Sequence, residues 1–265
     1  MGHVRLGKLP ASKKWREIVG YMAAGDISVA DIANAIADAS DKSLQKATKD
    51  PAFLDALWLL HKIPLAAKEQ NFAEALAKIG IQVPDNPSRA ELIAGYDAAV
   101  QKSQQINAPH VTDLGEMAKQ AGITALNNLI QEKSPKLWEA TRQDVQQSIA
   151  TIASTDNFGE LAQSFFSGLV QHNIQYYLDR EISKHVGPGR MVPSLGDISV
   201  MEGALKKHCD ETTMIMRTFS KDWYGKNAFH LGKDIDRKAT QGFAHVAFTK
   251  IRKELQVRSS SGENI

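Results

Sequence analysis

Hydrophobic residues recur at three- and four-residue steps along most of the chain, which is the spacing of one face of a helix. The longest such stretch runs from Asp156 to Val186 without a proline and ends at Gly187-Pro188-Gly189. Its apolar positions are Phe158, Leu161, Phe165, Phe166, Leu169, Ile174, Tyr177, Leu178, Ile182 and Val186. No stretch of comparable length shows the alternation of a strand. The pattern predicts an all-α fold, a multi-helix bundle of about nine or ten helices with one long central helix.

Helix-capping residues divide the remainder of the chain into further helices. Asp50-Pro51 combines an N-cap with a proline at the first helical position. Ser28 with Asp31 and Ser88 with Glu91 resemble capping boxes, and Thr141 with Asp144 opens a further helix. The predicted helix starts are Ser12, Ser28, Asp50, Asn71, Ser88, Thr112, Thr141, Asp156, Asp197 and Asp236. The helix capped by Asp197 is predicted to continue to about Phe219.

The predicted domain organisation is simple. Residues 1–11 form a basic N-terminal arm, residues 12–258 a single helical domain, and residues 259–265 a polar tail that is disordered or a remnant of cloning. The loop at residues 187–196 contains three glycines and two prolines, so it is the candidate subdomain boundary or mobile loop.

Charge and cysteine content narrow the classes of function. The net charge of +2 predicts no general attraction to nucleic acid or to a membrane surface. A single cysteine, Cys209, excludes an intramolecular disulfide and favours the cytoplasm. The chain shows neither a secretory signal nor a run of about 18 apolar residues, so we expect no membrane span.

Basic residues are concentrated at the two ends of the chain. The N-terminal cluster, which we predict as a binding surface, consists of Arg5, Lys8, Lys13, Lys14 and Arg16. The C-terminal cluster consists of Lys250, Arg252, Lys253 and Arg258. Either cluster could contact phosphates, although such runs are commonly solvated surface. The arm also has alternating apolar residues, so it could lie along a partner protein or fold over its own bundle.

Arg180 and His185 have an Arg-x4-His spacing at the end of the predicted long helix. Arginine neutralises phosphate charge and histidine transfers a proton near neutral pH. The pair resembles the Arg-x4–6-His motif of helical ribonucleases of the HEPN superfamily, although Glu181 stands where that family usually has Asn, Asp or His. The resemblance implies a metal-independent ribonuclease with Arg180 and His185 at its catalytic cleft. The alternative is that both cations complement the negative end of the helix dipole.

Three other groups contain residue types that carry chemistry. His208, Cys209, Asp210 and Glu211 are metal-ligand types, but consecutive helical residues point about 100° apart, so we predict no metal site there. We expect Cys209 to be a small buried group and His208 to lie near the surface. His172, Tyr176 and Asp179 share one face of the long helix, as an acid–base set or a hydrogen-bonded polar stripe. Trp223 and Tyr224 lie between Lys221 and Lys226, a pattern that fits nucleic-acid stacking less well than core packing.

The whole chain resembles helical accessory proteins encoded in bacterial anti-phage gene clusters, on the stretches Gly2 to Leu9, Asp113 to Met117 and Gly242 to His245. The resemblance implies a role in an intracellular bacterial assembly. Our leading hypothesis is a non-catalytic interaction or scaffold subunit that binds a protein partner and needs no cofactor. The alternatives are the ribonuclease described above and a nucleic-acid-binding module that uses the terminal basic clusters. The oligomeric state stays open.

Overall fold

The computed structural model describes residues 3–4, 46–107, 111–135, 141–182, 195–230 and 234–261. Of these residues 83% are helical, so the all-α prediction is confirmed and the predicted number of helices is roughly right. The helices are α1 (Pro51–Ala66), α2 (Phe72–Lys78), α3 (Arg89–Asn107), α4 (Asp113–Lys133), α5 (Arg142–Ile152), α6 (Thr155–Ile182), α7 (Leu195–Thr212), α8 (Met214–Tyr224) and α9 (Arg237–Ser261). A π-helical turn, Gly225–His230, follows α8.

Several predicted helix starts are confirmed by their hydrogen bonds. The Asp50 carboxylate caps α1 by accepting from the backbone N–H groups of Ala52 and Phe53, both at 3.0 Å. The reciprocal capping boxes are present at Ser88, which begins α3, and at Thr141, which begins α5. These interactions satisfy backbone donors that the first turn of a helix leaves unpaired. The starts predicted at Ser12 and Ser28 lie outside the described residues.

The prediction of one helix from Asp197 to about Phe219 is wrong. Leu195 begins α7, so Asp197 lies inside it, and α7 ends at Thr212 before α8 begins at Met214. The hydroxyl groups of Thr212 and Thr213 donate to the carbonyl oxygens of His208 and Cys209, at 2.7 and 2.8 Å. Threonine hydroxyls that bond to the preceding turn weaken a helix locally. Two such residues in succession mark this break.

The long helix α6 lies at the centre of the fold, packed between α4 and α8. Its predicted apolar positions from Phe158 to Ile174 are buried. Glycines permit the close packing: a Cβ at Gly159 would lie 2.6 Å from the Arg217 carbonyl oxygen on α8. The prediction for α6 extended to Val186. Residues 183–194 lie outside the described residues, and so does most of the predicted boundary at 187–196.

The core joins α1, α6, α8 and α9 through aromatic side chains. The His61 ring lies 4.9 Å from the Phe158 ring and 5.5 Å from the Phe243 ring, measured between centroids. The Tyr224 ring stacks on the Phe158 ring, with their centroids 4.2 Å apart. Helix α1 passes through Pro64 and ends two residues later, at Ala66. No described helix has both the length and the apolar content needed to cross a membrane.

The structure near each end of the chain concerns the predicted N-terminal arm and the predicted C-terminal tail. His3–Val4 pairs in parallel with Val111–Thr112, immediately before α4, so this part of the N-terminal arm contacts its own bundle. At the other end, α9 continues through Ser261, three residues into the segment predicted to be a tail.

Candidate functional site

A cleft of about 470 Å³ separates the first half of α4 from the last described turns of α6. Each helix contributes residues at positions i, i+3, i+4 and i+7, the spacing of a single helix face. We call it the acidic cleft, lined by Asp113, Glu116, Met117, Gln120, His172, Gln175, Tyr176 and Asp179. The structure therefore places all three members of the predicted His172, Tyr176 and Asp179 set along one cavity.

The acidic cleft has a negative rim and a partly apolar floor. Asp113, Glu116 and Asp179 are carboxylates, and the described lining includes no lysine or arginine. Met117 is buried and Tyr176 packs against the hydrophobic core. Lys119 lies beside the cleft, where its Nζ contacts Glu116 at 3.0 Å and Asp97 on α3 at 3.1 Å. It offsets part of the negative charge.

The surroundings shift the pKa values of two residues in the acidic cleft. Desolvation lowers the pKa of His172 below its ordinary value of 6.5, so its imidazole is neutral near pH 7. Desolvation and, second, the Glu202 carboxylate raise the pKa of Asp179. Glu202 on α7 reaches this region because its Oε1 accepts a hydrogen bond from Gln175 Nε2 at 3.1 Å. Carboxyl groups of α4 and α6 therefore line the cleft, and the Glu202 carboxyl group of α7 lies beside it.

The spacing along α6 favours binding over proton transfer. His172 and Asp179 are seven residues apart, which is about 10 Å at 1.5 Å per residue. Direct proton transfer between side chains needs a separation near 3 Å. His172 and Asp179 are therefore too far apart along α6 for direct proton transfer to each other, whereas charged and apolar groups spread along a groove suit an extended ligand.

The predicted catalytic pair lies at the edge of what is described. The backbone of Arg180 belongs to α6, one residue after Asp179, but its side chain and the whole of His185 lie outside the described residues. The ribonuclease hypothesis therefore stays a prediction. The carboxylates of the acidic cleft would repel an RNA backbone that approached along this face of α6.

The predicted N-terminal binding residues, Arg5, Lys8, Lys13, Lys14 and Arg16, lie outside the described residues. The neighbouring His3–Val4 is described, and its strand partner Val111–Thr112 leads directly into Asp113 of the acidic cleft. The arm thus begins beside the cleft.

The group at the end of α7 has a structural role. Cys209 is fully buried, as predicted, and burial followed by the Asp210 charge raises the pKa of its thiol to about 12. His208 was expected near the surface, but only 9% of it is exposed because this turn faces α6. Asp210 accepts hydrogen bonds from Ser167 at 2.5 Å and Lys206 at 2.7 Å. Among the described residues no three His, Cys, Asp or Glu side chains are grouped to hold a metal ion.

The aromatic residues near the end of α8 belong to the core, as the sequence favoured. Tyr224 is fully buried, and the Trp223 ring lies 4.5 Å from Phe243. Lys221, which was a candidate nucleic-acid contact, forms an ion pair with Asp156 at 2.6 Å. This stretch therefore offers no exposed stacking platform in the described part of the chain.

The α4 side of the acidic cleft was missed by the sequence reasoning. Asp113, Glu116 and Gln120 lay on a correctly predicted helix, but nothing in the local pattern indicated which helix faces α6. The sequence does contain one feature that indicates the cleft: the stretches that form α4 and α6 both carry acidic and polar residues at positions i, i+3 and i+7. Such a polar stripe on two helices predicts a shared groove only when the two are known to pack together.

No protein-family model, curated protein sequence or solved structure shows detectable similarity to this chain.

Proposed function

We propose that this protein is a non-catalytic interaction subunit whose acidic cleft binds a basic segment of a partner protein. The observation that carries the proposal is the cleft itself, with carboxylates of two helices on its rim and Met117 and Tyr176 on its floor. Its volume of about 470 Å³ falls within the range of specific binding sites.

Lysine and arginine side chains match both features of the acidic cleft. Their aliphatic stems pack on apolar surface while the charged end reaches a carboxylate. The Tyr176 ring adds an attractive face for a cation. The Asp179 carboxylate is an exposed part of the lining, so a ligand cation can reach it from solvent. The neutral His172 adds no opposing charge.

The cellular setting is proposed on the sequence alone. A single, buried cysteine suits a reducing cytoplasm. The resemblance to helical accessory proteins of bacterial anti-phage gene clusters supports membership of an intracellular bacterial assembly that acts in antiviral defence. In such an assembly a subunit with a charged groove contributes partner selection.

The proposal is tested by recovering partners from the host with three tagged forms of the full chain. The test form is Asp113→Asn/Asp179→Asn, which removes two charges from the acidic cleft. The matched control is Asp85→Asn/Asp222→Asn, which removes two exposed charges outside the cleft. Far-ultraviolet circular dichroism checks that each form is folded, since Asp113 also stabilises the first turn of α4 by about 0.3–1 kcal/mol.

We expect wild type and control to retain the same partner and the cleft variant to lose it. A synthetic peptide from the partner's basic segment should then bind the cleft variant at least about tenfold more weakly than the control. Binding should also weaken on acidification, at a higher pH than for an ordinary aspartate, because the pKa of Asp179 is raised. A partner retained equally by all three forms would refute the proposal.

A further inference from the structure

A second cavity lies on a different face of the molecule, between residues 46–49 and α9. Its volume is about 740 Å³, and its lining is Lys46, Thr48, Lys49, His245, Phe248, Thr249 and Arg252. The Thr48 carbonyl accepts a hydrogen bond from Gln241 Nε2 at 2.7 Å, which holds this segment against α9. We call it the basic groove. It joins the C-terminal basic cluster to two lysines about 200 residues earlier in the chain.

The charge of the basic groove is positive without a lining carboxylate among the described residues. Lys46 and Lys49 are exposed, and Arg252 completes a set of three permanent cations. The nearest acidic residue in sequence, Asp50, uses one carboxylate oxygen to cap α1 and the other to accept from Thr112 Oγ1 at 2.6 Å. Its charge is therefore engaged in holding the fold.

The positive surface continues along α9 beyond the groove. Lys238 lies on the same helix face, fourteen residues before Arg252, which spans about 21 Å at 1.5 Å per residue. Lys253 is exposed next to Arg252. Within α9 the sequence has a single acidic residue, Glu254, about 200° around the helix from Arg252. Asp236, two residues before Lys238, is exposed and caps α9 by accepting from the Ala239 backbone N–H at 2.7 Å. Elsewhere on α9, Arg237 pairs with Asp55, and the Lys250 ammonium lies over the Phe219 ring.

We propose that the basic groove and the adjoining face of α9 bind the phosphate backbone of a nucleic acid. Lysine and arginine neutralise successive phosphates and release counterions, which requires a row of cations along an extended path. A row of about 21 Å suits a polymer better than a single phosphate ion. Phe248, the aromatic residue of the lining, is 3% exposed. Base stacking is therefore absent from this face as described, so contact is with the backbone and independent of sequence.

Fluorescence anisotropy with a labelled duplex of mixed sequence tests this inference, using the full chain and a series of salt concentrations. The test variant is Lys46→Gln/Lys49→Gln. The control is Lys78→Gln/Arg89→Gln, which removes the same charge from α2 and α3, whereas α9 packs against α1, α7 and α8. Thermal unfolding confirms that both variants keep the wild-type fold.

We expect the wild type and the control to bind with a steep dependence of log affinity on log salt concentration. In the test variant the magnitude of that slope should fall by about 2, because each lost phosphate contact removes about 0.9. A mononucleotide at equal phosphate concentration should compete poorly. The inference is overturned if wild type shows no salt-dependent binding, if test and control variants behave alike, or if the mononucleotide competes as well as the duplex.

Discussion

Replacing Gly122 by alanine should expose how closely α3 and α4 are packed. A Cβ at Gly122 would lie 2.7 Å from Cζ of Tyr96 and closer still to its hydroxyl oxygen. Tyr96 is fully buried, and its hydroxyl donates to the Ala56 carbonyl oxygen on α1 at 3.1 Å. The tyrosine therefore cannot move away without losing the hydrogen bond that joins α3 to α1.

The magnitude follows from three contributions. Overpacking a filled core costs about 1–3 kcal/mol, and leaving a buried hydroxyl unpaired costs about 1–3 kcal/mol. Alanine stabilises a helix relative to glycine by about 0.5–1 kcal/mol. The net loss of unfolding free energy should be about 1–5 kcal/mol, a large part of the 5–15 kcal/mol typical of a domain.

Urea unfolding followed by circular dichroism measures this loss. The matched control is Gly203→Ala on α7, where a Cβ would meet no described atom within 4 Å, so we expect a stabilisation of about 0.5–1 kcal/mol. In Gly122→Ala/Tyr96→Phe the nearest clashing atom is absent, and the double change should cost at least about 1 kcal/mol less than the sum of the single changes. Strict additivity, or a Gly122→Ala protein as stable as the control, would refute the packing described here.

Three further predictions concern the core. Gly159→Ala should lower the thermal stability by about 1–3 kcal/mol, because the Arg217 carbonyl leaves no room for a Cβ; an unchanged melting temperature would contradict this. The Cys209 thiol, with its pKa raised to about 12, should react with Ellman's reagent only after unfolding, so rapid reaction of the folded protein at pH 8 would show that it is accessible. Burial lowers the pKa of His61 to about 4, so on acidification the imidazole is protonated in the unfolded chain at a higher pH than in the folded protein. The free energy of unfolding should therefore fall by about 3 kcal/mol as the pH drops from about 6.5 to 4. His61→Phe should flatten that pH dependence, and an equally steep loss in this variant would place its origin elsewhere.

The sequence predicted local features of the fold well, in particular the helix caps. The caps at Asp50, Ser88 and Thr141 depend on residues within four positions of one another, and each forms the expected hydrogen bonds. The sequence did not predict the break after Thr212. Helix propensity ranks threonine as a weak helix former, but it does not indicate when two buried threonine hydroxyls will donate hydrogen bonds to carbonyl oxygens of the preceding turn.

The candidate sites required information that spacing along one helix does not contain. His172, Tyr176 and Asp179 could be placed on one face of α6, yet their opposite wall on α4 depends on tertiary packing. In the basic groove the cations of α9 were visible as a cluster. Whether these cations lie near Lys46 and Lys49 depends on how residues 46–49 pack against α9. A tertiary contact, the hydrogen bond from Gln241 to the Thr48 carbonyl oxygen, holds them there.

Site-specific photo-crosslinking in the host tests most directly whether the acidic cleft is the surface that meets a partner. A photoreactive amino acid at Gln120, exposed within the cleft, is compared with the same group at Asn128, exposed two turns later on α4. We expect position 120 to cross-link one protein through a segment rich in lysine or arginine, and we expect that cross-link to disappear when Asp179→Asn is added. Cross-links from position 128 alone, or a cross-linked segment without basic residues, would contradict it.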